Sequence, residues 1–300
     1  MRSSSGSTSR TAAASPYDEA MSGRHPSPGS RPVTRSLLAN DLRTLGVRLG
    51  SVVMVHTRMR ALGWVIGGPD TVVLALLDAV GPHGTIMAYA GWDQDPYHLP
   101  EWPSDVAAAA HAELPAFDPA VSEANREHGR IPERIRTWPG AVRGSHPEAS
   151  MVALGPRASW LVEPHPSDEP HAEGTPFTRL READGDVLML GAPLGTMTLL
   201  HHAEAMADIS VKRRVRYRMP ILGDRREVVW RTFSDIDTSN GAFEYDGVID
   251  GDPFEAIAFG ALADGVGRQG SVAAATASLF PADELVTFAV KWLEDRFADD

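Results

Sequence analysis

His201 and Glu204 stand three residues apart in the run Leu199-Leu-His-His-Ala-Glu204. At helical spacing their side chains share a face. An imidazole beside a carboxylate is the usual general-base arrangement, since the carboxylate orients the ring and stabilises its protonated form. A solvated ion pair has the same spacing, so the motif alone leaves both readings open. His202 is next in the chain and points about 100° away around the same helix. Two further stretches carry reactive side chains. Residues 91–147 hold Trp92, Asp93, Asp95, Trp102, Glu123, Glu127, Trp138 and the run Arg143-Gly-Ser145-His146-Pro. Residues 163–176 hold His165, Asp168, Glu169, His171 and Glu173. Long loops that mix aromatics with carboxylates suit ligand binding, because disordered segments are poor in Trp. No two of these histidines stand at a ligand spacing such as His-Glu-x-x-His, so no metal is expected.

The elements that must position these groups can be read from apolar patterning. Leu37, Leu38, Leu42, Leu45 and Val47 fall at helical spacing. Val52 to Val55 form a buried strand that ends in His56-Thr57-Arg58. Gly67-Gly68-Pro69-Asp70 starts a helix through Val80, with Pro where its missing N–H costs nothing. Thr85 to Ala90 is the second strand and Met151 to Leu154 another, with a short helix over 157–162. Val187 to Leu190 is a strand that delivers the chain to the His201 helix, for which Thr196 or Thr198 supplies a capping hydroxyl. Val215 to Leu222 and Glu227 to Phe233 flank Gly223-Asp224-Arg225-Arg226 and predict a β-hairpin. Helices follow over 253–262 and from Pro281 onward, and Ser271 to Phe280 reads as one strand. Alternating helices and strands predict an α/β fold, a sheet covered by helices. In such sheets ligands sit beyond the carboxyl ends of the strands, where His56 lies.

Composition bounds the rest. The chain has 300 residues, 43% of them hydrophobic, enough for a real core. Residues 1–33 are rich in Ser, Gly, Pro and Arg without apolar periodicity and read as a disordered tail, leaving 34–300 as a single domain with long loops at 91–147 and 163–176. No apolar run approaches the roughly 20 residues that span a bilayer, and no signal peptide is apparent. The absence of Cys rules out disulfides and thiolate metal sites. A cytoplasmic location is expected. The net charge is −12, and the first 35 residues hold five Arg against two acids, so the acidic excess lies in the remainder. An acidic body argues against a nucleic-acid partner and attracts cationic ligands.

Several segments together resemble the aminoglycoside 3-N-acetyltransferases, also called antibiotic N-acetyltransferases. They are Val53-Met-Val-His56-Thr, Gly67-Gly-Pro-Asp through Gly84-Thr85, Tyr89-Ala-Gly-Trp-Asp, Phe117-Asp-Pro, Arg143-Gly-Ser-His-Pro, Leu190-Gly-Ala-Pro-Leu and Thr198-Leu-Leu-His-His-Ala-Glu204. They occur in family order between about Thr34 and Phe297. The resemblance implies the α/β fold of that family, a three-layer mixed sheet with helices on both faces, distinct from the common acetyltransferase superfamily. It also implies acetyl-coenzyme A as donor and the 3-amino group of an aminoglycoside antibiotic as acceptor, hence drug resistance. Two positions depart from the pattern. Thr57 stands where Ser is frequent, which keeps a hydroxyl. The 163–176 stretch lacks the usual glycine-rich run, which bears on the acceptor range.

Under that resemblance His201 matches the base and Glu204 its partner, with His202 in a packing or supporting place. The amine must lose a proton before it attacks, and an imidazole that titrates near ~6.5 can take it at neutral pH. A polyanionic coenzyme needs cations or helix N-termini. His56, Thr57, Arg58, Arg143 and Ser145 are the coenzyme candidates, with Arg60 and the Pro69 helix nearby. An acceptor with several ammonium groups needs carboxylates, for which Asp93, Asp95, Glu123, Glu127, Asp168 and Glu169 are the candidates. The chain is expected as a monomer or homodimer. A related transferase acting on another small amine, and a non-catalytic binder of cationic drugs, remain as alternatives.

Overall fold

The computed structural model describes residues 31–297. The expected tail therefore lies outside the described residues, except at its end. There Val33 is 5% exposed and its N–H donates to Trp64 O, so the folded body begins just before Thr34. Thr34 caps α1 (Arg35–Leu45) by accepting the Leu37 N–H, one of the orphan donors of a helix start. Strands β1 (Val52–Thr57) and β2 (Thr85–Tyr89) flank α2 (Pro69–Val80). Next come α3 (Ser104–Glu113), α4 (Arg130–Arg136), β3 (Val142–Arg143), β4 (Met151–Leu154), α5 (Ala158–Val162) and α6 (Pro176–Glu182). Strand β5 (Asp186–Leu190) leads to α7 (Leu199–Met206), and β6 (Arg214–Leu222) pairs with β7 (Val228–Ile236) as the expected hairpin. Helix α8 (Pro253–Ala263), β8 (Arg268–Val272), β9 (Ala275–Pro281) and α9 (Ala282–Phe297) complete the chain.

Seven strands form one mixed sheet in the order β3-β4-β2-β1-β5-β9-β8. Its centre is parallel: β1 pairs with β2 on one side and β5 on the other. The outer pairings are antiparallel. A strand covered on both faces must be apolar at every position, which is why 52–55 reads Val-Val-Met-Val without alternation. Val52 and Met54 enter one core; Val53 and Val55 enter the other. The first core is closed by Leu161, Leu180, Leu200, Ile257 and Leu285 from α5 to α9. The second is closed by Leu38, Leu76 and Ile135 from α1, α2 and α4. This is the three-layer arrangement expected.

Two expectations change. The stretch 271–280 is not one strand: β8 and β9 turn back on each other at Ala273, whose φ is +51°. The 91–147 stretch is not all loop, since it contains α3, α4 and β3. Helix α3 buries none of its residues, so it has no apolar stripe to betray it, although its alanines favour the helix.

The register sets the site. His56 lies beside Met189 and Thr57 beside Leu190, so β1 and β5 end together, with Tyr89 at the end of neighbouring β2. The chain leaves β5 through Gly191, at φ +69°, where an added Cβ would come within 2.6 Å of the Ala61 Cβ. Only glycine allows that turn. It delivers α7 to the strand ends, anchored by Leu199, Leu200 and Ala203 in the first core.

Candidate active site

Three cavities converge on His201. The first, about 850 Å³, is lined by His56, Thr57, Arg58, Arg60, Arg126 and Arg130 among others. The second, about 780 Å³, is lined by Asp93, Asp95, Glu127, Glu148 and His171 among others. A third of about 300 Å³ opens on the far side of Glu204. The first two share Tyr89, Arg126, Glu127, His128, Thr198 and His201.

His201 Nδ1–H donates to Glu204 Oε2 at 2.6 Å, which leaves Nε2 for the cavities. The Glu204 side chain has no solvent exposure and that of His201 has 16%. Glu204 is held at its other oxygen as well: the Tyr245 hydroxyl donates at 2.5 Å and the Ala242 N–H at 3.3 Å. The His201 ring stands edge-on to Phe254, with centroids 4.7 Å apart. A buried carboxylate with three donors cannot swing away, so the imidazole it holds is preorganised. The arrangement can take a proton from a group in one cavity and return it to a group in the other.

His202 faces the core instead. Its Nδ1–H donates to the His171 carbonyl at 2.6 Å, Arg181 reaches its Nε2, and burial lowers it to about 4. No side-chain capping bond forms at α7. The Thr196 hydroxyl donates to Pro193 O at 2.8 Å, and Thr198 Oγ1 lies 3.3 Å from His56 Nε2. Burial, with His128 adding repulsion, lowers His56 to about 3, so its ring is neutral throughout the working range. The Thr57 hydroxyl is buried with no hydrogen-bond partner among the described residues.

His56, Thr57 and Arg58 thus stand together in the first cavity. Arg143 and Ser145 do not. The Arg143 guanidinium is sealed inside, donating to the Ser122 and Gly91 carbonyls and to Ser150 Oγ, and burial lowers it to about 10. It pins the 91–123 segment to the sheet and presents no charge to a ligand. Ser145 and His146 line a separate cavity of about 190 Å³ with His165. The start of α2 is also outside the cleft, its Asp70 paired with Arg134.

Among the acidic candidates, Asp93, Asp95 and Glu127 line the second cavity. Asp93 is also tied to Arg126, and burial raises Asp95. Glu123, Asp168 and Glu169 are placed elsewhere. Glu123 is exposed and pairs with Arg126. Asp168 accepts from the Ser234 N–H and hydroxyl, and Glu169 pairs with Arg214, so both fasten the 163–176 segment to the hairpin. The cleft also holds Tyr89, Arg126, Arg130, His128, Glu148 and Phe254, none of them a candidate from the sequence, and His171 from the 163–176 stretch. Tyr89 lay within a matching segment and Glu148 directly follows another, which was the available signal.

The family model described as "Aminoglycoside 3-N-acetyltransferase" matches residues 54–294. The chain belongs to this family. It is 54% identical over 271 residues to aminoglycoside N(3)-acetyltransferase VIII of Streptomyces fradiae, spanning 88% of this chain and 93% of the relative. The crystal structure of aminoglycoside acetyltransferase AAC(3)-Xa superposes with a TM-score of 0.87 at 49% identity, covering 90% of this chain and 95% of that one. AAC-IIIb, solved in binary complex with CoASH, superposes with a TM-score of 0.83 at 41% identity, covering 90% and 99%. The family fold is therefore that of the mixed sheet described above. Among the described residues no group of three or more His, Asp or Glu is arranged to hold a metal ion, and no helix is long and apolar enough to cross a membrane.

Proposed function

We propose that the protein transfers an acetyl group from acetyl-coenzyme A to the 3-amino group of an aminoglycoside. The observation that carries this reading is the meeting, at His201, of a cavity walled by arginines with one walled by carboxylates. Arg58, Arg60 and Arg130 suit the phosphates of the coenzyme; Asp93, Asp95 and Glu127 suit the ammonium groups of the drug. CoASH bound to AAC-IIIb supports the donor, and the names of the relatives support the acceptor and its position.

In this mechanism His201 Nε2 takes the proton of the acceptor ammonium, and the freed lone pair attacks the thioester carbonyl. The carbon–nitrogen bond forms as the carbonyl oxygen takes up negative charge. The unpartnered Thr57 hydroxyl, at the end of β1, is our candidate donor to that oxygen. Collapse of the intermediate breaks the carbon–sulfur bond, the coenzyme thiolate receives a proton from the His201 imidazolium, and the attacking nitrogen loses its second proton to solvent, so that a neutral amide and a thiol are released. Glu204 stabilises that imidazolium while it exists. Holding both substrates against one ring supplies the proximity such a transfer needs.

The test is thiol release from acetyl-coenzyme A with and without gentamicin. Release that depends on the drug, with one acetyl group found on the 3-amino nitrogen by NMR, is expected. Release without the drug, or none with it, overturns the reading.

A further inference from the structure

Besides the Tyr97 hydroxyl, two polar atoms in the wall of the acidic cavity lack a hydrogen-bond partner among the described residues: Glu148 Oε2 and His171 Nε2. They are not incidental surface atoms. His171 is 1% exposed, and the Glu148 Oε2 oxygen is sealed from solvent although the residue is only partly buried. Buried polar groups are almost always paired, so an unpaired acceptor and an unpaired ring nitrogen in one ligand-sized cavity ask for a ligand.

Each side chain is fixed through its other atom. The Tyr89 hydroxyl donates to Glu148 Oε1 at 2.8 Å, which leaves Oε2. His171 Nδ1–H donates to Asp235 Oδ2 at 2.6 Å, which leaves Nε2. The Tyr89 ring is stacked with His171 at 6.4 Å, so one aromatic plate sets both. The His171 and His201 rings are 5.6 Å apart, which places the pair next to the reacting amine.

We propose that Glu148 and His171 clamp an amino alcohol within the acceptor, Glu148 accepting from a second ammonium group and the His171 Nε2–H donating to a hydroxyl near it. This rests on the acetyltransferase reading and deepens it, since aminoglycosides carry amines and hydroxyls on neighbouring ring carbons. Burial works against a charged His171 ring, but Asp235, with Glu148 and Glu204, outweighs it and raises the imidazole above its ordinary value, which favours a proton on Nε2. Burial also pushes the Glu148 carboxyl up to about 7. The groups facing Glu148 are Tyr89 from β2, Asp95 and Tyr97 from the segment after it, His171, and Tyr217 and Asp235 from the hairpin. An ammonium seated on Oε2 favours the carboxylate, so binding near pH 7 expels a proton to the buffer.

Calorimetry of gentamicin binding at pH 7, in buffers of different ionisation enthalpy, reads that proton. Steady-state kinetics read the contact. Glu148→Gln keeps the Tyr89 bond, and it should raise the gentamicin KM about tenfold, leave the acetyl-coenzyme A KM within about twofold, and reduce proton release. Glu148→Asp keeps the charge but withdraws it by one methylene. It should fall between Gln and the wild type, and it provides the reading where Gln disturbs packing. A wild-type gentamicin KM and unchanged proton release in these variants overturn the clamp. Wild-type protein that binds gentamicin but releases no thiol overturns the acetyltransferase reading instead, and the calorimetry still judges the clamp.

Discussion

His201–Glu204 and His171–Asp235 are chemically the same pair, each with an imidazole Nδ1–H on a carboxylate oxygen at 2.6 Å. They differ in everything around that bond. The first joins residues three apart on one helical turn, and its imidazole opens onto all three cavities. The second joins residues 64 apart, with both side chains buried at 1% and 3% exposure. It fastens the 163–176 segment to β7. The first pair, made within one helix and open to all three cavities, can pass a proton; the second, made across the fold with only its Nε2 edge toward the acceptor cavity, holds its charge and the fold. Access and connectivity, not the identity of the two groups, divide the work.

That division breaks if the two pairs respond alike to removal of one member. His201→Ala should lower kcat by about 10²–10⁴-fold, the usual contribution of a positioned base, and leave coenzyme binding and the urea midpoint nearly unchanged. A variant that turns over at the wild-type rate removes His201 from the mechanism. Asp235→Ala should act first on stability. Without Asp235 the buried His171 ring loses its charge and its Nδ1–H loses its acceptor, which costs about 1–3 kcal/mol, so the urea midpoint should fall below that of the wild type. An Asp235→Ala protein of native stability would mean that the second pair is no staple. Glu204→Gln sharpens the contrast from the other side. The amide can keep the contact with the His201 ring but not the charge, and kcat should fall about 10–100-fold with little change in either KM. Undiminished kcat would show that the carboxylate only orients the ring.

The same contrast explains what could be read from residue order and what could not. Pairs made within one element are legible: His201 and Glu204 share a helix face, and the end of the Val52–Val55 run identifies His56 and Thr57. Pairs made across the fold are not. Asp235 stands in an acidic stretch of the chain with nothing to mark it as the partner of His171, and Tyr245 lies 41 residues beyond Glu204. Arg143 follows the same rule in reverse. Read along the chain it is a cation beside a turn, fit for a phosphate, yet carbonyls 21 and 52 residues away consume it. Arg126 and Arg130 look like any other arginines until the segment after β2 folds back over the strand ends. The sheet was legible because its central strands are buried on both faces and so read as unbroken apolar runs. The β8–β9 turn was not, because Ala273 and Ala274 offer none of the usual turn residues.

Tyr245 tests how far the open pair depends on what stands behind it, and here the expected effect is smallest. Its hydroxyl donates to Glu204 Oε1, opposite the oxygen that holds His201. Burial and Glu204 both raise that hydroxyl well above the ordinary phenol range, so it stays a donor at every working pH. Donation draws charge from the carboxylate and weakens its hold on the imidazolium. Tyr245→Phe keeps the ring contacts with Phe243 and Phe297 and removes only this bond. The third cavity reaches Glu204 and Tyr245, so water can partly replace the lost donor, and kcat should change by only about 2–5-fold. The more telling quantity is the pH dependence. With charge returned to Glu204 the imidazolium is held more tightly, and the acid limb of kcat/KM against pH should move to higher pH. A fall in kcat with the limb unmoved would make Tyr245 a packing residue and leave Glu204 alone in command of the ring.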